Sequence, residues 1–183
     1  MTVFGFTGKP WSGKSEAVKI AKQKNIPVFR MGDFVWEEVE KRNLPINPKN
    51  VGQVAQDMRE KYGSTIWAKK TVEAISELNQ ESVLVIDGIR SIEEVNYFRS
   101  HLSDSFKLVA ITASDETRHK RAKMRDRADD STSDVEIQMR DQREKKWGID
   151  QVIESADCLI SNESSLSLFQ QKVNHLFSNK IKD

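Results

Sequence analysis

Gly8-Lys9-Pro10-Trp11-Ser12-Gly13-Lys14-Ser15 is the stretch on which the fold turns. Two glycines five positions apart, followed by Lys and Ser, fit the phosphate-loop pattern. A short apolar run, Val3-Phe4-Gly5-Phe6, precedes it, and helix formers from Glu16 to Lys24 follow. Strand, glycine-rich turn and helix, in that order, are the context this motif requires. Backbone N–H groups of such a turn point inward at phosphate oxygens, and the helix N-terminus adds a favourable dipole. All eight residues are therefore expected to cradle the phosphates of a nucleotide, with ATP and Mg²⁺ as the expected ligands. Lys14 would reach the β- and γ-phosphates, and the Ser15 hydroxyl would ligate the metal.

Working outward, the 183 residues suit one domain, with a small mobile insertion allowed, and are enough to bury a core. Charged residues make up 31% of the chain and the net charge is +1, so any basic site must be local. There is no apolar run of membrane-spanning length and no apolar segment of the signal-peptide kind. A single cysteine, Cys158, excludes an internal disulfide and suits a reducing cytoplasm, where the protein is expected. His101, His119 and His175 lack the spacing of metal ligands.

Five apolar runs read as strands: 2–6, 27–30, 82–87, 107–112 and 157–161. They are nearly continuous rather than alternating, as expected when both faces of a parallel sheet are covered. Helical patterns separate them at 14–24, 33–42, 51–61, 65–78, 92–101, 116–127, 135–146 and 166–177. Alternating strands and helices predict a doubly wound α/β fold, whose ligands bind at the carboxyl ends of the strands. Two stretches, 44–63 and 118–147, lie between strands and would project over that edge.

Val83-Leu84-Val85-Ile86-Asp87 is an apolar strand ending in an acid, able to hold Mg²⁺ or orient a nucleophile. Arg90, three residues on, can grip a phosphate bidentately. Arg118, Arg121 and Arg125 share one face of a predicted helix, and Arg140 and Arg143 lie one turn apart on the next. A lid bearing such arginines would neutralise charge in a phosphoryl transfer, and Arg121 and Arg125 are assigned to catalysis with Lys14 and Asp87. Asp33 reads equally as a group facing an acceptor or as a helix N-cap. Arg59 and Tyr62 are candidates to face an acceptor nucleotide, although a solvated helix face is the commoner fate. Trp36, Trp67 and Trp147 read as packing residues, whereas Trp11 lies inside the phosphate loop.

With these residues assembled, the chain resembles the nucleoside-monophosphate-kinase-like branch of P-loop kinases, which includes adenylate, cytidylate and dephospho-CoA kinases. More closely, it resembles an archaeal family of adenylate-kinase-related proteins. The resemblance runs over essentially the whole chain through GKPWSGKS at 8–15, MGD at 31–33, REKYG at 59–63, VIDGIRS at 85–91, the arginine-rich segment 118–130, RDQRE at 140–144 and ADCLISN at 156–162. It implies a three-layer α/β/α P-loop NTPase fold with a five-stranded parallel sheet in the order 2-3-1-4-5. It implies an acceptor-binding insertion at about 33–80 and a lid at about 118–147 within a single domain, 1–183. It gives Arg90 the acceptor's phosphate, beside Asp33 and Arg59, and places Asn162 near the donor's adenine. Trp11 stands where such loops often have Gly, and Trp36 where an acceptor-gripping Arg is common.

The expected activity is transfer of the γ-phosphoryl of ATP to a nucleotide-like acceptor, AMP-like in preference. Dephospho-CoA is the alternative acceptor, and a nucleotide-binding regulator with weak ATPase activity the alternative class. A nucleic-acid partner is not expected, because aromatic residues are not interleaved with the basic segment. Neither is a membrane partner.

Overall fold

Strands that are apolar on both faces need cover on both sides, and the chain supplies it by alternating strands with helices. The computed structural model describes residues 1–78, 83–124 and 133–178. The elements are β1 (Thr2–Thr7), α1 (Lys14–Gln23), β2 (Val28–Arg30), α2 (Met31–Lys41), α3 (Pro48–Tyr62), α4 (Ile66–Ser76), β3 (Val83–Ile89), α5 (Ile92–Leu102), β4 (Phe106–Thr112), α6 (Asp115–Met124), α7 (Asp134–Lys146), α8 (Ile149–Glu154), β5 (Cys158–Ser161) and α9 (Leu166–Ser178). A 3₁₀ turn, Ser103–Ser105, joins α5 to β4.

The sheet is five-stranded, all parallel, in the order β2-β3-β1-β4-β5. Successive side chains of a strand face opposite ways. Leu84 and Ile86 join Met31, Val35, Trp67 and Phe98 on one face, while Val83 and Val85 join Phe4, Phe6, Phe169 and Phe177 on the other. Two cores separated by one sheet make a three-layer α/β/α molecule. A third, smaller cluster of Trp11, Ala122 and Ile137 joins the phosphate loop to α6 and α7.

Register sets the ligand edge. Asp87 lies beside Phe6 of β1 and Arg30 of β2, so the ends of three strands converge. Local signals fix the helices that follow. Ser91 and Glu94 form a capping box on α5, and Ser133 and Glu136 one on α7. Asn47 accepts from Asn50 N–H ahead of Pro48 at the start of α3.

Two expectations are corrected. Helix α2 starts at Met31, so Asp33 lies in its first turn rather than at its N-cap. Helix α8, six residues long and entered through the left-handed Gly148, is too short to show a periodicity in the sequence. Arg125 and the start of the third predicted strand, Ser82, lie outside the described residues. Among those described, no helix is long and apolar enough to cross a membrane.

Candidate functional site

The phosphate loop joins β1 to α1 through two glycines with φ of 141° at Gly8 and 114° at Gly13. A Cβ at Gly8 would run into the Ile111 carbonyl, and one at Gly13 into the Asn162 amide. Both glycines thus provide positive φ and close approach together. Trp11, with φ of 60°, accepts the same left-handed backbone with a large side chain. Its indole packs on Ala122 and Ile137, and the Arg140 guanidinium lies 5.2 Å from the ring centroid.

Lys14 Nζ donates to the carbonyls of Gly8 (2.5 Å) and Lys9 (3.0 Å). Burial pushes its pKa down to about 8, and the nearby Arg90 charge adds to the effect. The loop is tied from outside. Arg118, almost wholly buried, donates to Pro10 O at 2.9 Å and forks onto Asp141 at 3.0 and 2.8 Å. Asn162 Nδ2 donates to Ser12 O at 2.9 Å, and Arg121 Nη2 donates to Asn162 O at 2.9 Å. Asn162 is therefore buried against the loop's backbone. Lys9 pairs with Asp150 at 3.2 Å.

Asp87 lies opposite Arg30 at the last β2–β3 pair, but β3 runs on to Ile89, which pairs with Thr7 past an irregularity, so the acid does not end the strand as the sequence suggested. Its Oδ2 lies 3.9 Å from Arg30 Nε, and its Oδ1 is buried with no hydrogen-bond partner among the described residues. Arg30 also pairs with Asp33 at 3.2 Å. Buried Glu94 caps α5, accepts the Arg90 backbone N–H at 2.8 Å and holds Arg59 Nη2 at 2.6 Å. Arg59 is thereby fixed over Trp147, 4.3 Å from its ring centroid, and Arg143 approaches the same ring at 5.6 Å.

Glu144 of α7 sits among these cations. Arg90 Nη1 is 2.5 Å and Arg140 Nε 3.6 Å from its Oε1. Burial opposes its ionisation, but Arg90, Arg140, Lys14 and Arg143 more than offset this and hold its pKa below the usual carboxylate range. Arg143 pairs with no carboxylate among the described residues, and burial, then the neighbouring Arg140 charge, lower its pKa from the ordinary arginine value.

Together these residues enclose a cavity of about 320 Å³. Of the residues singled out in the sequence, Pro10, Trp11, Gly13, Lys14, Ser15, Arg59, Asp87, Arg90 and Arg121 line it. Gly8, Lys9, Ser12, Asp33 and Asn162 are not part of that lining. Arg140 and Arg143 also reach it, as do Arg30 and Glu144, which the sequence did not single out. Arg30 ends a strand that is apolar except for this residue, a readable signal. Glu144 follows Arg140 by four residues and reads as half of an ordinary surface ion pair.

Residues 7–138 match a family model described as an AAA domain. A UPF0200 protein of Methanosarcina acetivorans is 41% identical over 182 residues, covering 100% of this chain and 97% of its own length. Another, of Methanocaldococcus jannaschii, is 41% identical over 177 residues, covering 96% of this chain and 87% of its own. A UPF0200/UPF0201 protein of Archaeoglobus fulgidus is also 41% identical, over 96% of this chain, but the match spans only 55% of that protein. Among solved structures, TT1252 of Thermus thermophilus superposes with a TM-score of 0.65 at 17% identity, over 97% of each chain. Shikimate kinase of Acinetobacter baumannii, in complex with shikimate, superposes with 0.59 at 16% identity, over 98% of this chain and 95% of that one. At such identities the likeness is one of fold.

Proposed function

This chain belongs to the UPF0200 family and carries an AAA domain, and from that premise we propose that it is a P-loop kinase. In this reading it moves the γ-phosphoryl of ATP to a phosphate-bearing, nucleotide-like acceptor, in preference an AMP-like nucleoside monophosphate. One observation carries the reading. A single cavity is lined both by the phosphate loop with Lys14 and by a guanidinium cluster of Arg90, Arg140 and Arg143. Planar guanidinium groups match phosphate oxygens bidentately, so a polyphosphate on the loop would leave the cluster for a second phosphate beside it.

The residues present also fit a magnesium ion. Asp87, whose Oδ1 is buried without a hydrogen-bond partner among the described residues, and Ser15 line the same cavity. Among the described residues no three His, Cys, Asp or Glu side chains cluster as a protein cage. Mg²⁺ typically keeps several waters and takes one or two protein ligands plus phosphate oxygens, which this pair allows. Bound there, it would supply charge neutralisation at the β- and γ-phosphates.

Lys14 and Arg121 would stabilise charge on the transferring group, with Arg125 of the same segment. Asp87 would orient the acceptor's attacking oxygen, with Asp33 behind it, bridged by Arg30. Arg59 and Arg90, both fixed by Glu94, would position the acceptor. Asn162 would act on the donor through the Ser12 carbonyl that it holds. In this reading α3 lies in the acceptor-binding insertion, about 33–80, and α6 and α7 in the lid, about 118–147.

The test is ADP release from Mg·ATP alone and with AMP, CMP, dCMP, UMP, GMP or dephospho-CoA. One acceptor should stimulate release strongly and appear phosphorylated. Lys14→Ala should lower that rate by about 10²-fold or more, the scale on which a positioned charge donor acts. A slow rate blind to every acceptor would overturn the kinase reading in favour of a regulatory ATPase.

A further inference from the structure

Helix α7 buries two residues, and one of them is the acid Glu144, only 2% exposed. Its Oε1 is taken by Arg90 and approached by Arg140, while its Oε2 is buried without a hydrogen-bond partner among the described residues. Beside it stands Arg143, which pairs with no carboxylate among the described residues. A one-charge, two-oxygen group thus fills a place bounded by three guanidinium groups, pairs with Arg90 and leaves Arg143 without a carboxylate among the described residues.

Resting on the kinase reading above, we propose that the Glu144 carboxylate occupies the seat of the acceptor's phosphate, and that this residue selects dianionic phosphate esters against singly charged acids. A phosphate brings roughly two charges and three acceptor oxygens to Arg90, Arg140 and Arg143, and so outcompetes the carboxylate. A carboxylate ligand offers the arginines only what Glu144 already supplies. It must also compete with a group tethered at high effective concentration. The ligand that enters displaces Glu144 and reaches Arg143 as well as Arg90.

Three other roles fit the surroundings less well. A metal ligand would not be ringed by Lys14, Arg90, Arg140 and Arg143. A general base would not be held ionised by four cations that weaken its basicity. A purely structural ion pair would have both carboxylate oxygens hydrogen-bonded, as buried polar atoms usually are.

The experiment first measures binding of Mg·AMPPNP, a non-hydrolysable ATP analogue, to the full chain. Inorganic phosphate and acetate are then titrated at constant ionic strength with the phosphate loop saturated. Tryptophan fluorescence gives the readout, since Trp11 and Trp147 flank the cluster. The wild type should bind phosphate and ignore acetate. Glu144→Gln should tighten phosphate about tenfold or more, the scale of a lost charge-assisted competitor, and begin to bind acetate. Glu144→Asp keeps the charge, serves if the Gln variant does not fold, and should still exclude acetate. Phosphate binding that is unchanged or weaker in Glu144→Gln, or acetate binding to Glu144→Asp as strong as phosphate, would overturn the proposal. Failure of Mg·AMPPNP to bind would instead sink the kinase reading, and the same titrations on the nucleotide-free chain would still decide the role of Glu144.

Discussion

Lys14 shows what a single buried residue must give up. Folded onto the Gly8 and Lys9 carbonyls, it has traded water for two backbone acceptors, and its pKa falls from 10.5 to about 8. Bound phosphates favour the ammonium form and raise that value. Below pH 8 the amine is already charged, so nucleotide affinity should be flat. Above pH 8 each binding event takes up a proton, and the Kd should rise, approaching about tenfold per pH unit. Nucleotide titrations between pH 7 and 9.5, with calorimetry in two buffers of different ionisation enthalpy, read both the slope and the proton. A Kd independent of pH across that range would contradict the assignment. Trp11 makes a different exchange at the same scale. Its left-handed backbone costs about 1–2 kcal/mol, which is less than the packing a buried tryptophan supplies.

At the scale of elements, α3 and α7 approach each other through a missing side chain. Gly52 lies inside α3, where Gly costs about 1 kcal/mol relative to Ala. A Cβ there would collide with Arg143 Nη1, so the glycine leaves room for the guanidinium. Gly52→Ala should therefore melt at the same temperature or a few degrees higher, about 2–4 °C per kcal/mol gained. It should also bind the acceptor several-fold more weakly, because the flexible end of Arg143 must move out of the cluster. Thermal melts and acceptor titrations on one preparation separate the two effects; a fall in both would mean that the collision is absorbed by the backbone. Glu94 links elements in another way. Its capping box on α5 is readable as Ser91-x-x-Glu94, but its grip on Arg59 crosses from α5 to α3, 35 residues away.

At the scale of the whole molecule, apolar burial is uneven. Every residue of β1 except Thr2 is buried, whereas α6 buries only Arg118 and Ala122, and α7 only Ile137 and Glu144. Those two helices are held by Arg118–Asp141, Glu144–Arg90 and the small cluster around Trp11. Segments with few buried apolar contacts open more readily than a sheet core. Backbone amides of α6 and α7 should therefore exchange with deuterium well before those of β1 and β3, and Mg·AMPPNP should slow them selectively. Equal protection of α7 and β3 without nucleotide would show that the polar contacts alone lock the segment.

The phosphate loop, the parallel sheet and Asp87 were legible because each is a contiguous pattern. A glycine spacing, an unbroken apolar run and the acid that follows it are all set by local backbone geometry and two-sided burial. The motifs at 85–91 and 140–144 contain arginines that line the cavity, since strand and helix spacing are also local. What those arginines face was not legible. Arg118, read as one of a helical trio, is turned into the loop's outer wall by Asp141, and Asn162 is spent on the Ser12 carbonyl. Arg30 joins Asp87 only because β2 lies beside β3, and Glu144 meets Arg90 only because α7 folds back over the end of that strand. The sequence by itself determined the fold and the phosphate end of the cavity, since short-range sterics and hydrophobic pattern suffice for both. The tertiary structure alone decided which cations share the cavity and which acid stands among them. Burial and charge pairing depend on residues that are distant in the chain.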